Sequence, residues 1–196
     1  MKVLDPPTQK LIDEYITKYN EKEKVNKLNM QLRMACFTGD YIQFIDAITK
    51  GADVKVNDNY PIRIAAFGGH LEIIKKLISL EGDIHVQDDF CLRHAMYNNN
   101  KSLIKILLEN KANVNADQYY GIKYYSAIGD LEMVQLFIKY SSPANADNDY
   151  PIGIAKLNGH ENVVEFLVSK GGRLMESEVY KIYIERMERE KIIHEK

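Results

Sequence analysis

Cysteine is scarce in this sequence: two residues, Cys36 and Cys91, among 196. Two cysteines cannot build a disulfide framework, and both fall inside apolar helical runs, where a thiol serves as a small core filler. Long hydrophobic runs are missing as well. None approaches the roughly 20 residues that cross a bilayer as a helix, so no membrane association is expected. The start, MKVLDPPTQK, has no apolar core of a secretory signal, and a cytoplasmic location is expected, with the nucleus as the alternative. Asn100-Lys101-Ser102 then reads as a chance match to a glycosylation sequon. An excess of one charge is also absent. Lysine and arginine number 26 against 28 acidic residues, a formal net charge of −2, so neither nucleic acid nor an anionic surface is an expected partner. The chemistry-bearing patterns are missing too: there is no glycine-rich phosphate loop, no nucleophile elbow and no paired-carboxylate motif. His70 and His160 hold the same repeat position three repeats apart, and His94 near Cys91 lacks the second paired motif that a zinc site needs. No catalytic residue, cofactor or metal ligand is assigned, and the expected function is non-enzymatic.

What the sequence does hold is a repeat. Pro61 to Phe90 is its cleanest copy. Ile62, Ile64 and Ala65 lie on one face of a first helical run, Gly68-Gly69-His70 breaks it, and Leu71, Ile73, Ile74, Leu77 and Ile78 form a second apolar stripe. Steps of 30 from Ile62 reach Leu92, Ile122 and Ile152, with Leu32 one step before. Ala35, Ala65, Ala95 and Ala155 share a column that Tyr125 breaks, and Gly39, Gly69, Gly129 and Gly159 share one that Asn99 breaks. In the second run Ile74, Ile104, Val134 and Val164 align, as do Leu77, Leu107, Phe137 and Leu167. A helix pair of this kind buries its stripe only against further copies. The sequence therefore predicts an all-α solenoid of about five helix-turn-helix units over residues 29–175. An N-terminal helical flank over 1–28 is expected to pack on the first repeat through Leu11, Ile12, Tyr15, Ile16 and Tyr19, and a capping helix is expected over 176–196.

PIRIAAFGGHLEIIKKLISLEGDI, SAIGDLEMVQLFIKY, PIGIAKLNGHENVVEFLVSKGG and the Gly51-Ala52-Asp53-Val54 ending carry a resemblance to ankyrin repeats. The usual ankyrin unit is about 33 residues; here the shortening falls in the turn between units, and the Thr-Pro-Leu-His start is replaced by Tyr60-Pro61-Ile62-Arg63 and its counterparts. Such short units resemble the arrays of giant DNA viruses of amoebae and of some protists, and richness in Ile, Lys, Asn and Tyr without Trp suits an AT-rich genome. A viral origin would place the protein in the host cytoplasm. Asn29, Asn59, Asp89 and Asp149 precede the first helix of their units, where each is expected to cap it in place of the missing threonine. The unit 121–150, with Tyr119, Tyr125 and Ser141-Ser142-Pro143, is expected to be the most distorted.

The resemblance implies a monomeric protein–protein interaction module, with a scaffold or adaptor subunit as the alternative; no additional docking motif such as an F-box is present. Phe37, Phe67, Tyr97, Ala127 and Leu157 hold the position that faces the concave groove of ankyrin arrays, followed by Thr38, Gly68, Asn98, Ile128 and Asn158. These rings either line that groove or tuck under the neighbouring helix. Phe37, Phe67, Tyr97, Asn98, Ile128 and Leu157 are the expected contacts with a protein partner. A basic column, Arg33, Arg63, Arg93 and Lys123, lies near the start of the first helices, where the helix dipole disfavours a cation. It either ties consecutive turns together through nearby acids or, at Arg63 and Arg93, joins the partner surface. The turn aromatics Tyr60, Phe90, Tyr120 and Tyr150 are expected to pack between repeats.

Overall fold

A computed structural model describes residues 6–174 and Glu185. Those residues form ten α-helices in five antiparallel pairs: α1 (Pro6–Thr38) with α2 (Tyr41–Thr49), α3 (Val56–Gly68) with α4 (Leu71–Ser79), α5 (Val86–Tyr97) with α6 (Lys101–Glu109), α7 (Ala116–Ala127) with α8 (Leu131–Lys139), and α9 (Ala146–Leu157) with α10 (Glu161–Ser169). The chain divides into two compact units, one ending at Cys91 and the other beginning at Leu92. In the first, α1 packs on α2 and α3, and α3 on α4; in the second, α7 packs on α8 and α9, and α9 on α10. The repeat columns are the core. Leu32, Ile62, Leu92, Ile122 and Ile152 of the first helices are fully buried, and Ile74, Ile104, Val134, Leu77, Leu107, Phe137 and Leu167 of the second helices are buried beside them.

Each first helix ends in the same way. The amides of Asp40, His70, Asn100, Asp130 and His160 donate to the carbonyls of Ala35, Ala65, Ala95, Tyr125 and Ala155, five residues back. This closure needs a left-handed residue just before the donor, and Gly39, Gly69, Asn99, Gly129 and Gly159 supply it with positive φ. Two chemistries start the second helix. Asp40, Asn100 and Asp130 accept from the amides of Gln43, Leu103 and Met133, as N-caps do. His70 and His160 instead turn back, and their Nε2 atoms donate to the carbonyls of Phe37 and Ala127 at 3.0 Å. Their rings then occupy the space in which a Cβ on Gly39 or Gly129 would lie, within 2.5 and 2.4 Å of Nδ1. Both histidines are structural, tying a second-helix start to the first helix of the preceding pair.

The turn between pairs differs from the expectation. Residues 57–59, 87–89, 117–119 and 147–149 each form a run of three left-handed residues, with φ between 48° and 65°. The right-handed helix starts only at Tyr60, Phe90, Tyr120 and Tyr150. Left-handed conformations cost about 1–2 kcal/mol per ordinary residue and least at Asn and Asp, which explains the composition of these turns. Pro61 and Pro151 follow where no helical amide is yet required.

The expected caps are likewise corrected. Asn29 lies inside α1 rather than ahead of a helix, and its Oδ1 accepts from the amide of Asp53 at 2.7 Å. Asn59 accepts from Asp83 at 3.0 Å and Asp149 from Arg173 at 2.9 Å. Each bond joins the beginning of a pair to the turn that leaves it, 24 residues later, and so closes the pair. Replacing Asn59 with alanine is expected to cost about 1–2 kcal/mol, from the lost bond and the left-handed backbone together. Asn59→Gly removes the bond while keeping the backbone permissive, so the difference between the two in urea denaturation isolates the backbone share.

Residues 13–27 of the N-terminal flank do not pack on the first repeat. α1 runs without a break through position 28, and residues 13–27 are exposed, Tyr15 at 71% and Tyr19 at 54% among them, with Ile16 at 50%. α1 packs on α2 and α3, and the buried side chains described in it lie in its C-terminal part, from Leu28 to Cys36. The side chains of Leu11 and Ile12 and the capping helix expected over 176–196 lie outside the described residues. The unit 121–150 shows no backbone distortion: α7 and α8 have 12 and 9 residues, as α5 and α6 and α9 and α10 have. The turn after α8 closes through Ser142 onto the Phe137 carbonyl at 2.9 Å, as Ala112 closes onto Leu107 at 3.0 Å.

Candidate partner-binding surface

The end of each first helix sets the direction of the aromatic column. Alanine, two positions before the ring, faces the core, so the residue 200° further round points outward. Phe37 and Phe67 in the first unit are 53% and 58% exposed; Tyr97, Ile128 and Leu157 in the second are 54%, 45% and 42% exposed. Of the two readings left open by the sequence, tucking under a neighbouring helix is excluded.

In the first unit the surface extends beyond the column. Met30 and Met34, exposed at 60% and 53%, lie seven and three residues before Phe37 on the same face of α1. Together with Arg33, Phe37, Tyr60 and Ile64 they line an open groove of ≈ 340 Å³. The sequence reading missed both methionines, although their spacing from Phe37 was the available signal. It could not separate them from Leu32 and Ala35, because α1 carries apolar residues on both faces at this point.

In the second unit Tyr97 is held rather than loose. Its hydroxyl donates to the Asp117 carboxylate of the left-handed turn, and its ring meets Tyr120 edge-on at 4.8 Å. Tyr120 in turn stacks on Tyr124 at 5.7 Å. The Asp117 hydrogen bond, with burial adding to it, pushes the Tyr97 hydroxyl up to about 12, so it remains a neutral donor at physiological pH. Asn98 is exposed, but its amide donates to the carbonyl of His94 in its own helix at 3.0 Å, which leaves it less to offer a partner.

Arg63, expected as a partner contact, is engaged internally. Its Nε and Nη2 donate to the carbonyls of Asp58 and Asn57 at 3.2 Å, and Nη1 donates to Gln87 at 3.2 Å. The guanidinium also lies 5.4 Å from the centre of the Tyr60 ring. Lys123 pairs with the Asp147 carboxylate and lies 5.5 Å from the centre of the Tyr150 ring. The left-handed turns thus explain the cation column. A run of αL residues directs carbonyls outward that no helix uses, and these or a turn carboxylate balance a charge that the helix dipole disfavours. Arg93 is half-buried at the same position. The basic column is therefore chiefly part of the scaffold.

Reactive chemistry has little foothold. Burial pushes the thiols of Cys36 and Cys91 up to about 12, so neither carries a thiolate near neutral pH. Burial also lowers His94. Among the described residues no group of three His, Cys, Asp or Glu side chains converges as a metal site, and no helix is long and apolar enough to cross a membrane.

A search of curated proteins returned no match. Residues 32–118 match the family model described as ankyrin repeats, in three copies. Beyond residue 118 the helix pairs keep the same lengths and the same turn closures to Ser169. Residues 32–118 are thus similar to ankyrin repeats, and the described residues form an all-α array of helix pairs consistent with such a fold.

Proposed function

We propose that the protein is a non-catalytic interaction module that binds a protein partner through the exposed ends of its first helices. Ankyrin repeats are generally protein–protein interaction modules. The observation that carries the reading for this chain is the exposure of large apolar residues at one repeat position, Phe37 and Phe67 in the first unit and Tyr97 and Leu157 in the second, with Ile128 at the position that follows it. None of these residues belongs to the buried core. Large apolar residues kept in water at a repeated position mark a contact surface, and aromatic side chains carry a disproportionate share of interface energy. Arg63 acts in this reading by holding the turn ahead of its helix, and Arg93 holds the same repeat position. Action in the cytoplasm of a host cell belongs to the same proposal, with the viral likeness resting on the 30-residue period and the Ile-, Lys-, Asn- and Tyr-rich composition.

The test is the double replacement of Phe67 and Tyr97 by serine. Each ring is worth about 2 kcal/mol or more if it anchors a partner, so affinity capture from the native cell, read by mass spectrometry, should lose its specific partner while helicity by circular dichroism stays near that of the parent. Undiminished capture, or loss of folding, would overturn the assignment.

A further inference from the structure

Arg33 breaks the rule that governs its column. Arg63 is balanced by the outward carbonyls of a left-handed turn, and Lys123 by a turn carboxylate. Before Arg33 there is no such turn. Residues 27–29 belong to the uninterrupted helix α1, which has no residue of positive φ before Gly39. Its carbonyls are therefore used within the helix. Among the described residues Arg33 makes no hydrogen bond and no ion pair. It is nevertheless half-buried, on the wall of the ≈ 340 Å³ groove formed with Met30, Met34, Phe37, Tyr60 and Ile64. None of these neighbours is acidic. A cation partly withdrawn from water against apolar walls, with no counter-charge, is unfavourable until an anion meets it.

We propose that this groove takes a linear peptide segment of the partner, with a large apolar side chain between Met34, Phe37 and Tyr60 and a carboxylate on Arg33. The apolar walls give affinity without much selectivity, because the methionine side chains adapt to many shapes. The guanidinium supplies the selectivity, since its planar fork matches a carboxylate with two parallel hydrogen bonds. The occupant is thus an acidic–apolar peptide rather than a basic or purely apolar one. This inference rests on the reading that the first-helix face binds protein, and it names the chemistry of one part of that face.

A random linear-peptide display library, panned on the full chain and on its Arg33→Glu variant, tests it. The native chain should enrich peptides with Asp or Glu close to Phe, Leu or Met; the Glu variant should enrich lysine or arginine at the same place. A synthetic peptide from the first selection should bind about tenfold more weakly to Arg33→Gln, and about as much more weakly to the native chain when its acid is replaced by the amide. Lys105→Gln, on an exposed second helix, should leave its affinity unchanged. The peptide amide arm does not depend on how any variant folds. Enrichment without acidic residues, no enrichment at all, or equal affinity for Arg33→Gln would overturn the proposal. So would concentration-dependent dimerisation abolished by Arg33→Gln, which would make a second copy the occupant. If Phe67→Ser with Tyr97→Ser abolishes partner capture while Arg33→Gln changes no peptide's affinity, the broader surface stands and this groove's assignment falls.

Discussion

Replacing Tyr125 with alanine should destabilise the protein by about 3–5 kcal/mol, the range for emptying a large aromatic site, even though alanine is the residue that the other repeats carry there. Tyr125 is fully buried. Its ring meets Tyr124 edge-on at 5.1 Å and Phe137 at 5.7 Å, and its hydroxyl donates to Oδ1 of Asn99 at 2.9 Å. Asn99 is the other exception in the repeat pattern, standing in the glycine column with a φ of 50°. The two exceptions are partners. An asparagine tolerates the left-handed position and offers an acceptor that glycine lacks, which satisfies the hydroxyl of the ring in the next pair. Tyr125→Phe isolates that bond and should cost about 0.5–1.5 kcal/mol, because the freed Asn99 amide is exposed. Urea denaturation read by circular dichroism measures both. A Tyr125→Ala protein as stable as the parent would mean that the site collapses around the smaller residue.

Gly121→Ala should cost about 1–3 kcal/mol by overpacking, and Phe137→Leu in the same chain should recover most of it. A Cβ at position 121 would lie 2.1 Å from the Phe137 ring and 2.9 Å from Sδ of Met96. The corresponding positions in three of the other pairs hold Pro61, Cys91 and Pro151, and each of these is accompanied by a leucine, Leu77, Leu107 or Leu167, where this pair has phenylalanine. Gly121 is thus the space that the larger ring occupies. Its role is steric, since its φ is not positive. Phe137→Leu alone should destabilise through the unfilled volume. The mutant cycle is decisive: if the two changes add without rescue, the glycine serves some purpose other than making room for the ring.

The scaffold was largely legible because it depends on local order. Which residues face inward follows from helical periodicity, and the 30-residue recurrence shows that helix pairs stack in series; Ile62, Ile74, Leu77 and their counterparts are buried as that pattern requires. The site was half legible. Repeat position singled out Phe37, Phe67 and Tyr97, but a large apolar residue beside a helix end satisfies either a core or a surface, and only the packed neighbours decide which. Arg63 was ambiguous for a similar reason: its acceptors are backbone carbonyls, which leave no trace in the pattern of side chains.

The opening absences and the repeat determined, from sequence alone, an all-α array of short helix pairs. The tertiary structure decided what the irregular residues do. Asn and Asp ahead of a helix favour both an N-cap and a left-handed backbone, so Asn59 and Asp149 could be read as caps, whereas their oxygens reach an amide 24 residues later. Tyr125 with Asn99, and Gly121 with Phe137, read singly as defects and turn out to be matched pairs. Arg33 matches Arg63 letter for letter and differs from it only because α1 continues where a left-handed turn would otherwise stand. Periodicity is carried by residues near in sequence and survives without coordinates. Compensation is carried by atoms that meet across the fold, where the same letter takes its role from whatever lies opposite.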